Sequence, residues 1–211
     1  MRIAELSRRT GVPVPTIKYY LREGLVPHGE RTSPNQARYD ESHVHRVRLV
    51  RALVEVGGLP IASAREVLTL MHEPGRSWLE SIGKVHFAVQ RARQPQAEPP
   101  SEAAAARVAE LIERRGWRAR ETNPARATLA GVLDHFTRLG DPDALGLLDR
   151  YADVAEQLSA AEVEALVGPD VDRMAERVVI MSVLGGALLD ALRALAQESA
   201  ATARMTSVSD A

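Results

Sequence analysis

Residues 1–27 read MRIAELSRRTGVPVPTIKYYLREGLVP, and the reading of this stretch decides the fold. Residues 3–9 predict a short amphipathic helix with Ile3, Ala4 and Leu6 available to face inward. Thr10-Gly11-Val12-Pro13 breaks it, because glycine tolerates a positive φ. Residues 15–23 predict a second short helix. Its early proline costs little, since the N–H that proline lacks has no partner in a first turn. Gly24 stops the helix and Leu25 packs just after it. Two short helices about a glycine turn make a helix-turn-helix: the second is narrow enough to enter a major groove, and the first braces it.

Outward from there, residues 27–36 mix proline, glycine, serine and asparagine without a helical period. Flanks around Leu25-Val26 and Ala37-Arg38-Tyr39 predict a small hairpin, a wing. Asp40 caps a longer helix with Val44, Val47, Val50 and Val54 on one face, ended by Gly57-Gly58. Pro60 opens another helix with Ile61, Ala64, Val67, Leu68 and Met71 inward. After a loop at 72–76, Ser77 and Glu80 read as a capping box for a helix over 77–93. QPQAEPP at 94–100 is a linker.

Everything after the linker predicts helix. Asn123-Pro124 and Asp141-Pro142 are cap-plus-first-turn signals, and Ser159 with Glu162 reads as a second capping box. A final helix is expected from about Gly168-Pro169-Asp170. It carries Met174, Val178, Met181, Gly185, Leu188, Leu192 and Leu195 along one seam, with Ile180, Leu184, Ala187 and Ala191 beside it. The last dozen residues, small and polar, are expected to fray. The fold class expected is mainly α: an N-terminal winged helix-turn-helix with a small β wing, then an all-α helical bundle. The boundaries expected are a 1–76 DNA-binding domain, a 77–94 connecting helix, a 95–100 linker and a 101–211 helical effector and dimerisation domain.

Charge follows the same division. Residues 1–51 hold ten Lys/Arg against five acids, +5, and leave −6 for the remainder. A basic head on an acidic body fits a phosphate-binding domain joined to a different module. The 211 residues include no cysteine, which excludes disulfides, thiolate zinc sites, iron–sulfur ligation and thiol sensing. No metal site and no cofactor is expected. No long uncharged apolar stretch and no apolar signal core is read, so the expected compartment is the cytoplasm, with no membrane partner. No G-x-G-x-x-G after a strand, P-loop, H-E-x-x-H or G-x-S-x-G is present, so no enzyme is expected.

On the second helix, Lys18 and Arg22 lie four apart on one face, within reach of phosphate or a guanine edge, and Thr16 is short enough for close approach. Of Tyr19 and Tyr20, one is expected to point at DNA and the other to pack inward.

The GV turn, the TIKYY stretch, EGL and ARYDESHV, in this order and spacing over residues 1–71, resemble the MerR family of bacterial regulators. The resemblance implies a homodimer on a palindromic promoter element. It also implies RNA polymerase as a partner at the promoter, and an effector bound by a variable C-terminal domain. Lys18 stands where the family usually has arginine, Tyr19 and Tyr20 match its aromatic pair, and Thr16 matches its threonine. Pro13 and Pro15 replace a serine cap and a frequent arginine. In the wing the family's arginine two residues before the tyrosine is here Ala37, with Arg38 shifted by one; Arg38 and, as a substitute at the wing tip, Arg31 are the candidate wing contacts to DNA. The alternative reading is a promoter-occluding repressor or an architectural protein without a ligand.

Beyond the linker, Trp117, His135, Phe136 and Tyr151 are candidates for an effector pocket that takes an apolar or weakly polar organic molecule; aromatics at helical spacing also make ordinary core. Met181, Gly185, Leu188 and Leu192 on the final helix are the candidate dimer contacts.

Overall fold

The computed structural model describes residues 1–33, 36–71, 83–84, 87–89, 91–92, 99–140, 142–166 and 171–209. The chain divides into two compact units, residues 1–76 together with 176–211, and residues 77–175.

In the first unit, α1 (Ile3–Thr10) buries Leu6 and ends at Gly11, whose φ of 69° is left-handed. Helix α2 (Val14–Arg22) buries Ile17, Tyr20 and Leu21. Strands β1 (Glu30–Ser33) and β2 (Gln36–Arg38) form an antiparallel wing. The expected pairing partner at Leu25-Val26 is not a strand. Both residues are buried, and their N–H groups donate to the Tyr20 carbonyl at 2.9 and 3.4 Å. They close the end of α2, and Gly24 at φ 70° makes that turn possible.

Helix α3 (Glu41–Arg51) starts at Asp40, whose carboxylate accepts from the backbone N–H of Ser42 at 3.0 Å and of His43 at 3.3 Å. It continues into a π-helical turn, Ala52–Val56, and then α4 (Ile61–Leu70) follows Pro60. Val44, Val47, Val50, Leu53, Ala64, Val67 and Leu68 build the core with Leu6, Ile17, Leu25 and Val26.

The second unit holds α5 (Glu102–Arg114), α6 (Pro124–Leu139), α7 (Pro142–Gly146) and α8 (Leu148–Leu166). Ser101 caps α5, and Asn123 caps α6 by accepting from Ala125 N–H at 3.0 Å. Ala104, Val108, Ile112, Ala130 and Leu133 form the core. Arg115 binds Asp153 at 2.6 Å and Asp149 at 2.9 Å, and these carboxylates hold its guanidinium above the usual arginine range. Ser159 does not start a helix: α8 runs through it, because neither proline nor glycine lies within reach and Ala160-Ala161 favour continuation. The box at Ser77 and Glu80, the loop at 72–76 and most of the linker lie outside the described residues.

Helix α9 (Val171–Ser209) is one element. Its end does not fray as expected. Alanine, glutamate and arginine near the end are good helix formers, and no breaker interrupts them. Glu176–Met205 is long and apolar enough to cross a membrane by length and composition, and it carries Asp190 and Arg193 within that stretch.

Within the first unit, the beginning of this helix packs on α3 and the π-helical turn that follows it. His45 Nε2 lies 2.5 Å from Glu176 Oε1. Val178, Val179 and Val183 are buried. Gly57 leaves the space that Val183 fills: a Cβ there would stand 1.8 Å from Val183 Cγ1.

Candidate nucleic-acid interface

The buried face of α2 fixes what its other face presents. With Ile17, Tyr20 and Leu21 inward, Lys18 and Arg22 are exposed and Thr16 and Tyr19 half-buried at the surface. Tyr20 is 3% exposed. It is therefore a core residue, which corrects its candidacy for DNA contact and leaves Tyr19 as the outer member of the pair. Burial, the largest cause, raises the Tyr20 phenol above its ordinary range. Arg22 stacks its guanidinium over the Tyr19 ring at 5.2 Å.

The wing register assigns its arginines to opposite faces. Arg31 pairs with Ala37 and Glu30 with Arg38, followed by a bulge between Arg31 and Ser33. Side chains directly opposite each other share a face, and neighbours along a strand alternate. Arg31 therefore occupies the face of Ala37, and Arg38 the other.

A groove of about 350 Å³ separates α2 from the wing. Lys18 lines it from α2, Arg31, Ser33, Gln36 and Ala37 from the wing, and Arg2 and Ile3 from the start of α1, with Tyr39. None of these lining residues is acidic, and Arg38 is not among them.

Most other arginines of this domain are already engaged. Arg8 pairs with Glu5 at 2.6 Å, Arg51 with Glu55 at 2.7 Å and Arg65 with Glu23 at 2.8 Å. Arg9 forks onto Glu41. Arg46 and Arg48 donate to the carbonyls of Leu25 and Arg9. Arg22 has its tyrosine and, at 3.9 Å, Glu23. Among the described residues, Arg2, Lys18, Arg31 and Arg38 have no such partner, and three of these four converge on one groove. The sequence reading missed Arg2. A single arginine at the start of a chain carries no pattern, and its place depends on backbone pairing of Met1 with Tyr39.

The candidate effector residues do not form one cluster of equivalent groups. Trp117 packs against the second unit's core and donates its indole N–H to Glu156 at 2.7 Å. His135 is exposed, with Nδ1 2.7 Å from the Gly131 carbonyl of its own helix. Phe136 is half-buried and Tyr151 is 51% exposed. Of the candidate dimer residues, Met181 and Gly185 are half-buried, whereas Leu188 and Leu192 are 59% and 55% exposed.

Comparison with known proteins agrees with this geometry. The family model for the MerR HTH family regulatory protein matches residues 1–70. The nodulation protein NolA of Bradyrhizobium elkanii is 45% identical over 83 residues, 38% of this chain and 38% of that protein. The mercuric resistance operon regulatory protein of Bacillus cereus is 39% identical over 56 residues, 26% of this chain and 42% of that protein. The chain thus spans about two fifths of the length of these curated relatives. A crystal structure described as "the putative transcriptional regulator SCO5550 from Streptomyces coelicolor A3(2)" aligns with 97% of this chain and 97% of its own, at 34% identity and a TM-score of 0.69. A matched helix-turn-helix domain at one end and a full-length structural relative together place the chain in the MerR family of helix-turn-helix transcriptional regulators.

Proposed function

We propose that this protein binds duplex DNA sequence-specifically through residues 1–71 and regulates transcription as a cytoplasmic homodimer on a palindromic promoter element. One observation carries the reading: Lys18 and Arg31, with no carboxylate partner among the described residues, face each other's elements across a groove with no acidic residue among its described lining. Elsewhere in the domain, Arg38 apart, carboxylates, carbonyls and the Tyr19 ring engage the guanidinium groups. Cations left open at a surface concavity attract a polyanion, and phosphate neutralisation dominates protein–DNA affinity. Helix α2 carries the groups for base and phosphate contact, Thr16, Lys18, Tyr19 and Arg22, on its outer face.

The dimer rests on the second half of α9. Leu188, Leu192 and Leu195 are 59%, 55% and 65% exposed, a row of leucines along one side of a helix that is helical to Ser209. Burying a leucine contributes roughly 1.5–3 kcal/mol, and a twofold copy covers such a row with the same row. RNA polymerase at the promoter is the further partner proposed. An apolar or weakly polar organic effector is proposed for the second unit, where Phe136 and Tyr151 are the aromatic groups least committed to the core.

Recovery of duplexes from a random pool by the full chain tests the reading. Enrichment of a twofold-symmetric motif, protected as two half-sites about one helical turn apart, is the expected result. A pool that stays random after repeated rounds overturns it.

A further inference from the structure

Arg2 lies outside the helix-turn-helix motif, yet it lines the same groove as Lys18 and Arg31. Its position is built. It is the N-cap of α1, with extended backbone at φ −89° and ψ 165°, and its side chain makes no cap hydrogen bond. The preceding residue pairs with the base of the wing: Tyr39 N–H donates to the Met1 carbonyl at 2.8 Å, and the Met1 nitrogen donates to the Tyr39 carbonyl at 2.6 Å. On the other side, the N–H groups of Glu5 and Leu6 both donate to the Arg2 carbonyl at 3.0 Å. The backbone of residue 2 is thereby tied to the wing and to α1 at once, while its guanidinium has no partner among the described residues.

We infer that Arg2, Lys18 and Arg31 form a three-cation clamp on one stretch of the duplex DNA backbone, each cation neutralising one phosphodiester, with Ser33 and Gln36 as neutral wing donors. The inference rests on the DNA-binding reading and adds a residue and a ligand group to it. Three elements each contribute one cation to a concavity, whereas a base-reading contact projects from α2 alone. A phosphodiester carries a single charge and its oxygens accept hydrogen bonds from arginine, lysine, hydroxyl and amide donors. Such a contact positions the protein on the duplex without reading sequence. Arg2 therefore contributes to binding of every duplex by the same factor.

Fluorescence anisotropy with the full chain tests this, using both a duplex recovered by selection and a scrambled duplex, from 50 to 200 mM salt. Arg2→Ala is expected to lower the slope of log K against log salt by about 0.9 on both duplexes. Over that range the wild type's advantage then shrinks by about 3.5-fold. Arg2→Lys keeps the charge and is expected to keep the slope, and Arg38→Ala, on the other wing face, is expected to keep it too. Arg2→Ala with wild-type affinity and slope overturns the clamp, as does Arg2→Lys behaving like Arg2→Ala. An effect on the selected duplex alone also overturns it, since it marks base reading. Inorganic phosphate is added at matched ionic strength as a competitor; displacement of DNA at low millimolar concentration marks a site for free phosphate and overturns the assignment to the duplex. Failure of the wild type to bind either duplex rejects the DNA-binding reading itself, a different outcome from any of these.

Discussion

At the scale of single residues, the wing shows how a departure from a family pattern is compensated in three dimensions. Ala37 leaves an apolar side chain where the resemblance expects an arginine, and the cross-strand partner of Ala37 is Arg31. The charge is on the same face, supplied from the other strand. Moving it back is a direct test: Arg31→Ala is expected to weaken duplex binding and reduce the salt slope by about 0.9, and adding Ala37→Arg is expected to restore both. A double variant no better than Arg31→Ala contradicts the shared face. The choice of Arg31 over Arg38 was half legible in the sequence. Alternation along the strand put residues 37 and 38 on opposite faces, but the register against residues 30–33 was not readable, because a bulge shifts it between Arg31 and Ser33. The choice between Tyr19 and Tyr20 was illegible for a similar reason: adjacent residues on a nine-residue helix straddle the boundary of its buried face. Only packing decides which one turns in.

At the scale of elements, the start of α3 is an electrostatic as well as a hydrogen-bonded joint. The Ser42 hydroxyl, the strongest contributor, and then His43 hold the Asp40 carboxyl well below the usual carboxylate range. Because folding lowers this pKa, the cap contributes fully above the unfolded value of about 3.9 and is lost as pH falls below it. Asp40→Ala is therefore expected to lower the urea midpoint more at pH 7 than at pH 3. An equal loss at both pH values contradicts the charged cap.

The docking of α9 on the π-helical turn makes a second element-scale prediction. A methyl at position 57 would meet Val183, so Gly57→Ala is expected to destabilise by about 1–3 kcal/mol through overpacking. Val183→Ala in the same chain is expected to recover part of it, read as non-additivity in denaturant melts. Additive losses contradict the contact. The sequence showed Gly57 as a helix terminator, which it is, but its second role depends on a residue more than a hundred positions away. Likewise the seam of α9 was visible as an unbroken apolar spacing, while its division was not. Met174 and Val178 are buried, whereas Leu188 and Leu192 are exposed, and periodicity alone gives both halves the same signal.

At the scale of the whole molecule, the open leucine row and the open cation groove belong to one account, in which two copies present two recognition helices to one duplex. Two half-sites bound together reach an affinity that one short helix does not. Leu188→Glu with Leu192→Glu is expected to give monomers in light scattering that retain weak half-site binding and lose binding to the full site. Variants that stay dimeric at micromolar concentration contradict the role of that row. The central claim, however, is that the groove between α2 and the wing holds DNA phosphates, and the salt dependence of duplex binding by Lys18→Ala/Arg31→Ala beside the wild type tests it most directly. Loss of two phosphate contacts predicts a slope of log K against log salt smaller by about 1.8, with the fold intact by circular dichroism; a double variant with the wild-type slope and affinity would contradict the account.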